Sequence, residues 1–367
     1  MIGMRLKNSL KVIIVFVLMI MISPLAQSQV LTDKIVDTAP ITLYLEMVNS
    51  VRKEGKVNRD DAKRYFNNPT VALFKQRPDF DSLKFINNLT FVYSGVKKDS
   101  TLLHQNADYL LMLKYKAYEK EIKKAIADVN KTDINTLVKK RIKPFLDPSF
   151  NLDSVSIKYI YLFLDEGNGG FPGYVFNSTL QTAHLKVNDI DLITAHEAYH
   201  TIVNSIFMHK FEHIFAKNGN DTLQNQQNLL WYLQIVAEEG IADLIDKPKL
   251  NTDTSPLGIE FKKLRINEIE NAERRIRQLD SLLSSSESGK LNFLDLSKLL
   301  ENGGHIPGRY MGLKIQFANL INGYRKFTGN PFRFIYSYNE AVKNSKSPGF
   351  SAKSIAYLKM MEEQLLR

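Results

Sequence analysis

Two helical segments of this sequence carry ionisable residues where a helix in a protein core is normally apolar. ITAHEAYHTI (193–202) has two histidines four residues apart, and WYLQIVAEEGIADLID (231–246) has Glu239 and Asp243 at the same spacing. Residues four apart lie on one face of an α-helix. A buried charge without a partner is costly. The fold must therefore turn these carboxylates to solvent or give them a partner, and a metal ion is one such partner.

The first segment has the residue order of a hydrolytic zinc site. His196 and His200 are offset by about 40° on a helix, so both can point at one metal ion. Glu197 lies beside that face. Zinc lowers the pKa of a bound water to roughly 7, and a nearby carboxylate can take the proton as the water attacks a carbonyl. The pattern predicts Zn²⁺ bound by both histidines, with Glu197 as the general base.

The second segment supplies candidates for the remaining ligand. The chain has no cysteine, so a metal site can use only His, Asp and Glu. Glu239 can complete a two-His-one-Glu site. Asp243 can accept the outer N–H of a zinc-bound histidine and fix its tautomer. Glu238 is the alternative ligand, and both glutamates could instead face solvent.

These residues resemble the gluzincin metallopeptidases, which carry HExxH on one helix and a glutamate on a following helix. HEAYH (196–200) and EGIAD (239–243) match that pattern. The chain looks most like uncharacterised bacterial families of predicted zinc-dependent peptidases. The resemblance covers roughly residues 155 to 325, and it implies a zincin-like fold, bound zinc and peptide hydrolysis. Two features differ from the pattern: the gap of 239 − 200 = 39 residues is long, and Glu238 stands where many relatives have Asn.

The segment GGHIPGRYMG (303–312) contains candidates for stabilising the oxyanion. Tyr donors serve this role in several gluzincins, so the resemblance favours Tyr310, then His305, with Arg309 also considered. Tyr310 could equally be a core aromatic residue and His305 a loop residue.

Two further segments have an alternative interpretation. GGFPGYVFNS (169–178) could be an edge strand that binds a peptide main chain, although a plain hairpin turn is favoured. HKFEH (209–213) reads as an inverted zinc motif. On a continuous helix His209 would lie about 220° from His196, so we expect surface or loop histidines there.

Periodicity predicts a mainly α fold (α+β), with a small sheet before the active-site helix and helical N- and C-terminal regions. We expect helices within 41–145, including 102–129, and at 257–283, 308–327 and 351–366. A loop is expected at 284–289. A buried strand is expected within 155–166, a turn at 166–174 and a second strand pair at 175–187.

The N-terminus has the three parts of a signal peptide. Arg5, Lys7 and Lys11 precede the apolar run 12–22, and small residues follow at Ala26 and Ser28. The run is too short for a comfortable membrane span. We therefore expect residues 1–28 to be removed, leaving an exported protein, periplasmic or secreted, with no stable membrane span. The net charge of +10 becomes 10 − 3 = +7, and export argues against a nucleic-acid partner.

Residues 29–150 are predicted to form a helical N-terminal region, and residues 151–367 a zincin-like domain. The N-terminal region is compatible with a pro-region, a binding domain or part of one fold. The leading hypothesis is an exported zinc-dependent peptidase acting on a peptide or protein. The alternatives are a zinc hydrolase of a non-peptide amide or ester, and a non-catalytic helical envelope-binding protein on a zincin scaffold. The sequence does not indicate an oligomeric state.

Overall fold

The computed structural model describes residues 31–76, 80–94, 107–216, 221–250, 254, 259, 268–285, 291 and 293–366. The predicted signal peptide lies outside these residues. Contacts divide the chain into two compact units. The described residues of the N-terminal unit fall within 31–138 and 155–197, and those of the C-terminal unit fall within 139–154 and 198–366. The predicted domain boundary near residue 150 stays a prediction.

The N-terminal unit contains the helices expected within 41–145. Their bounds are α1 Ala39–Glu54, α2 Arg59–Asn67, α3 Pro69–Lys75, α4 Ser82–Ser94, α5 Ala107–Ala117, α6 Glu119–Lys131 and α7 Ile134–Ile142, the last of which continues into the other unit. The predicted single helix 102–129 is wrong in one respect, because α5 and α6 are separate and Tyr118 lies between them. No proline or glycine marks this break. Residues 102–106 lie outside the described part of the chain.

The sheet of the N-terminal unit has four strands: β1 Val36–Asp37, β2 Lys158–Leu162, β3 Asn168–Phe171 and β4 Tyr174–Ser178. Their order is β1-β2-β4-β3, with β1 and β4 parallel to β2 and β3 antiparallel to β4. The buried strand predicted within 155–166 is confirmed as β2. The predicted turn 166–174 is wrong over β3, and the predicted strand pair 175–187 is wrong after Ser178, where helix α8 (Thr179–Ala183) begins.

Aromatic side chains form much of the core beneath this sheet. Tyr44 of α1 stacks on Phe163 with ring centroids 4.5 Å apart, and Tyr115 of α5 lies 4.4 Å from the same ring. The Tyr115 hydroxyl donates to the Leu164 carbonyl at 2.9 Å. Large aromatic rings bury much apolar area, and a buried hydroxyl needs a partner of this kind. The N-terminal helices and the sheet therefore share one core.

The C-terminal unit is helical. Helix α9 (Leu192–Phe215) enters it from the N-terminal unit, and the others are α10 Asp221–Leu250, α11 Glu268–Ser285, α12 Phe293–Leu299, α13 His305–Phe317, α14 Ile321–Tyr324, α15 Pro331–Val342 and α16 Ala352–Leu365. None of the described helices is long and apolar enough to cross a membrane. The mainly α fold with a small sheet preceding α9 is confirmed.

The four predicted C-terminal segments have different outcomes. The helix at 351–366 is confirmed by α16. The helix at 308–327 is wrong beyond Phe317, where Asn319 adopts φ 58° and the chain starts the separate helix α14. Helix α11 covers residues 268–283 of the predicted helix 257–283, and most of its earlier part lies outside the described residues. The predicted loop 284–289 begins inside α11, and its residues 286–289 are not described.

Glycines allow α10 and α13 to approach with their backbones almost in contact. A Cβ atom added at Gly308 would lie 2.4 Å from the Val236 carbonyl oxygen, and one at Gly312 would lie 2.3 Å from the Gly240 oxygen. A Cβ at Gly240 would meet the Gly308 oxygen at 2.6 Å. Side chains at these positions would force the helices apart. The glycines therefore set the distance between the helix that carries Glu239 and the one that begins at His305.

We predict that Gly308→Ala lowers the free energy of unfolding by about 1–3 kcal/mol, the usual cost of overpacking a core. The new methyl group would meet backbone atoms of α10, which cannot rotate away as a side chain could. Gly323→Ala is the matched control, because a Cβ there meets nothing within 4 Å. Denaturant unfolding of both variants measures the difference. Equal stability of the two variants would contradict this account of the helix contact.

Candidate metal centre

Helix α9 carries both motif histidines on one face. His196 is 4% exposed and His200 is 8% exposed, one helical turn apart. Their neighbours Ala195, Ala198 and Tyr199 are fully buried. Small and apolar neighbours allow the helix to be enclosed while its imidazoles stay next to one another. The shared face predicted from the four-residue spacing is therefore present in α9.

A polar network ties the first turn of α9 to the sheet of the N-terminal unit. The Thr194 hydroxyl donates to Asn177 Oδ1 at 2.8 Å and lies 3.2 Å from the Tyr161 hydroxyl. Asn177 and Tyr161 are register partners on β4 and β2. At the helix start, the carbonyl of Asp191 accepts the N–H of Ala195 at 2.7 Å. The sheet therefore holds the helix start, and His196 follows two residues after Thr194.

Glu197 lies against the glycine-rich hairpin formed by β3 and β4. A Cβ atom at Gly169 would lie only 2.0 Å from the Glu197 carbonyl oxygen. One at Gly167 would lie 3.2 Å from Glu197 Oε1. A larger residue at Gly169 would push β3 off the helix. The hairpin predicted at 169–178 is confirmed, and β3 is also the edge strand of the sheet.

Helix α10 presents Glu239 to two imidazole rings of the C-terminal unit. Glu239 Oε2 lies 3.4 Å from His200 Nε2 and 2.9 Å from His305 Nδ1. Asp243 Oδ1, one turn further along α10, lies 3.1 Å from the same His305 nitrogen. Glu239, Asp243 and His305 are part of a group whose ligand atoms all lie within 4.8 Å of one another and could hold a metal ion.

Glu238 contacts the opposite side of the His200 ring. Its Oε1 lies 2.5 Å from His200 Nδ1 and accepts from Asn204 Nδ2 at 2.7 Å. Its Oε2 accepts from Gln234 Nε2 at 3.1 Å. Sequence reasoning proposed Glu238 as an alternative metal ligand. Its two carboxylate oxygens instead face three donors, from His200, Asn204 and Gln234. The carboxylate lies on the Nδ1 side of the His200 ring, away from Nε2.

Asp243 is paired with His305 and Lys247. Lys247 Nζ lies 3.2 Å from Asp243 Oδ1 and 2.6 Å from Asp246 Oδ2. The Asp243 side chain is 1% exposed, so these cations balance a charge enclosed in the core. Asp243 thus lies beside His305, and Glu238 contacts His200. The expected role of Asp243 as partner of a zinc-bound histidine stays a prediction.

The carboxylates of α10 control the protonation of both rings. Burial disfavours the charged form of His305, yet Glu239 and Asp243 outweigh it and raise its pKa to about 10. Burial likewise opposes charge on His200, and Glu239 with Glu238 holds its pKa well above the ordinary value. Burial raises the pKa of Glu238, with His200 acting against it. The cluster attracts positive charge, which a divalent cation would supply.

The two oxyanion candidates lie in different surroundings. His305 begins α13 directly after Gly304, whose φ of 98° turns the chain into the helix beside Glu239. The Tyr310 hydroxyl donates to Glu273 Oε1 of α11 at 2.8 Å. Tyr310 is five positions after His305, so the two side chains diverge by about 140° around the helix. His305 lies next to Glu239 and Tyr310 is bonded to Glu273; the oxyanion role expected of either residue stays a prediction.

The inverted motif at 209–213 lies on the continuing helix α9, as expected for exposed histidines. His209 and His213 are both exposed, and His213 Nε2 lies 3.0 Å from the Leu365 carbonyl oxygen. The sequence analysis did not identify three residues that contact the carboxylates of the site, namely Asn204, Gln234 and Lys247. Each lies four residues from a site residue on the same helix (His200, Glu238 and Asp243), and this spacing was the available signal.

The donor set matches the ligand chemistry of zinc. Neutral imidazole nitrogen and carboxylate oxygen are both zinc ligands, and a catalytic zinc takes three protein ligands and leaves one position open. His200 has its Nδ1 next to Glu238, so Nε2, which faces Glu239, is the nitrogen available to a metal. The residues therefore fit a zinc ion bound between α9 and Glu239.

Comparison with known proteins agrees with this chemistry. No curated protein and no solved structure matches the chain. One sequence family matches residues 54–347, which include both motif helices and His305. The chain therefore belongs to the family described as "Putative zinc dependent peptidase (DUF5700)".

Proposed function

We propose that this protein is an exported peptidase that hydrolyses peptide bonds with one zinc ion per chain. The observation that carries the proposal is the setting of His200. One ring nitrogen is engaged by Glu238, and the other faces Glu239, the third ligand expected from sequence. A polar cluster of this kind in a helical core requires a function to balance its burial cost.

His196, His200 and Glu239 are the proposed zinc ligands. Zinc held by them supplies positive charge that acidifies a water molecule and polarises a carbonyl group. His196 and His200 occupy one buried face of α9. Glu239 belongs to the buried helix α10, and its Oε2 is next to His200 Nε2. Ligands on helices are held more firmly than ligands on loops, which favours a constant metal geometry.

Glu197 is the proposed general base. It lies about 100° round α9 from His196, beside the ligand face but not on it. The close approach of Gly167 and Gly169 supports this role, because the hairpin restrains the residue. From this position the carboxylate takes a proton from the attacking water and passes it to the leaving amine. A purely structural metal site would not need such a base, which argues against the non-catalytic alternative.

His305 is the proposed stabiliser of negative charge on the carbonyl oxygen. Its Nδ1 is next to Glu239 and Asp243, which favours a protonated or strongly polarised ring. Its side chain is 30% exposed, so a substrate can reach it. Lys247 also contacts Asp243 Oδ1, the oxygen next to His305. Tyr310 is less suited, because its hydroxyl is bonded to Glu273.

A peptide is favoured over a non-peptide amide or ester by the edge strand next to Glu197. Strand β3 ends the sheet order, and its backbone at Gly169 is in contact with Glu197. An extended peptide can add to such an edge through main-chain hydrogen bonds. That mode would bring successive peptide groups past the proposed base without requiring a particular side chain.

Alanine at His200 or Glu239 is predicted to reduce bound zinc from about one ion per chain to a small fraction, because each change removes one of three ligands. His209→Ala is the matched control, since His209 is an exposed histidine on the same helix. Elemental analysis of the purified variants measures the metal. Full zinc occupancy in His200→Ala would refute the ligand assignment.

Glu197→Gln is expected to lower peptide turnover by roughly 10²- to 10⁴-fold, the usual contribution of general acid–base catalysis. Zinc content and thermal stability should stay at the wild-type level, since glutamine keeps the size and polarity of the side chain. Glu212→Gln, an exposed change on the same helix, should leave turnover unchanged. The proposed mechanism fails if Glu197→Gln cleaves a mixed peptide library at the wild-type rate or loses its zinc.

Export predicts that the mature protein starts near Gln29, after the small residues Ala26 and Ser28. N-terminal sequencing of the protein recovered outside the cytoplasm measures the start. Recovery of the chain with Met1 in place and bound to membranes would contradict cleavage and export, without bearing on the zinc site.

A further inference from the structure

We infer that Glu238 is a positioning residue that fixes the tautomer and orientation of His200, so that Nε2 of His200 is the metal-binding nitrogen. The inference rests on the proposed function, because it concerns the same zinc site. It assigns a task to a buried carboxylate that the proposed zinc set does not use.

Three donors converge on the Glu238 carboxylate. His200 Nδ1 lies 2.5 Å from Oε1, Asn204 Nδ2 lies 2.7 Å from Oε1 and Gln234 Nε2 lies 3.1 Å from Oε2. Glu238 is 6% exposed, so its hydration is replaced by these contacts. Gln234 Nε2 also lies 3.5 Å from Asn204 Oδ1. The amides therefore hold the carboxylate in place, and the carboxylate holds the ring.

The position of Glu238 selects one tautomer of His200. A carboxylate only accepts, so His200 Nδ1 must carry the hydrogen. The lone pair of the neutral ring then lies on Nε2, the nitrogen 3.4 Å from Glu239 Oε2. Carboxylate partners of this type also raise the basicity of a ligating histidine. Both effects increase the affinity of the site for zinc.

Helix geometry explains why two consecutive glutamates take different roles. Glu238 and Glu239 differ by about 100° in direction on α10. One reaches Nδ1 and the other faces Nε2 of a single imidazole. The two nitrogens lie on opposite sides of the ring, so a carboxylate bonded to Nδ1 does not bind a metal held by Nε2. The pair encloses His200 from both sides.

Glu238→Ala is expected to weaken zinc binding by about 10- to 100-fold, as loss of a partner behind a metal ligand does in other sites. Glu238→Gln keeps a hydrogen-bond acceptor but removes the charge, so its loss of zinc affinity should be smaller than that of Glu238→Ala. Competition with a chelator on the mature protein measures the zinc affinity. The rate at which zinc passes to the chelator measures the zinc dissociation rate. Glu362→Gln is the matched control: Glu362 is also 6% exposed and lies in the C-terminal unit, bonded to Asn330 and Arg333.

A second readout reports the tautomer directly. Proton–nitrogen correlation spectra of the zinc-loaded protein, labelled with nitrogen-15 histidine, should show a strongly downfield proton on His200 Nδ1. This signal should be absent from Glu238→Ala. Wild-type zinc affinity and an unchanged His200 signal in Glu238→Ala would overturn the inference. A loss of zinc as complete as in Glu239→Ala would also overturn it, by making Glu238 a ligand. If the wild-type protein binds no zinc, the proposed function fails instead, so the two failures are distinguishable.

Discussion

The contact between one buried histidine and two consecutive glutamates is the constraint on which the C-terminal unit depends. His200 lies between Glu238 and Glu239; His200 and Glu238 are buried, and Glu239 is partly buried. Charges in such surroundings are tolerated only when they are paired and hydrogen-bonded. A core of apolar residues would be simpler to build and often more stable. Metal binding of the kind that the family description names would give this costly cluster a role.

The glycine contact between α10 and α13 is the second element of the same arrangement. Gly240 follows Glu239 directly, and it meets Gly308 in the first turn of α13 with almost no space between the backbones. This short distance brings His305, which begins α13, within 2.9 Å of Glu239. A methyl group at the contact would move His305 away from the carboxylates. Packing and site chemistry are thus coupled through residues that have no side chain.

The sequence predicted the shared faces but not the individual contacts. Spacing of four residues was sufficient to place His196 with His200 and Glu239 with Asp243, because a helix repeats every 3.6 residues. It could not tell which carboxylate reaches which ring nitrogen, since that depends on the rotation of α10 against α9. The edge strand β3 was considered only as an alternative, because its NGGF sequence lacks the alternation of a strand and its place is set by contact with Glu197.

Helix α10 orients two imidazole rings, so a movement of this helix affects both rings. Glu238 engages Nδ1 of His200, whereas Asp243 and Glu239 engage Nδ1 of His305. A rotation of α10 would therefore disturb both rings together, and so would a shift along its axis. Lys247 adds a further restraint, because it holds Asp243 and Asp246 on the same helix. The carboxylates that contact the two rings are consequently all carried by one helix, so the two ring orientations depend on each other.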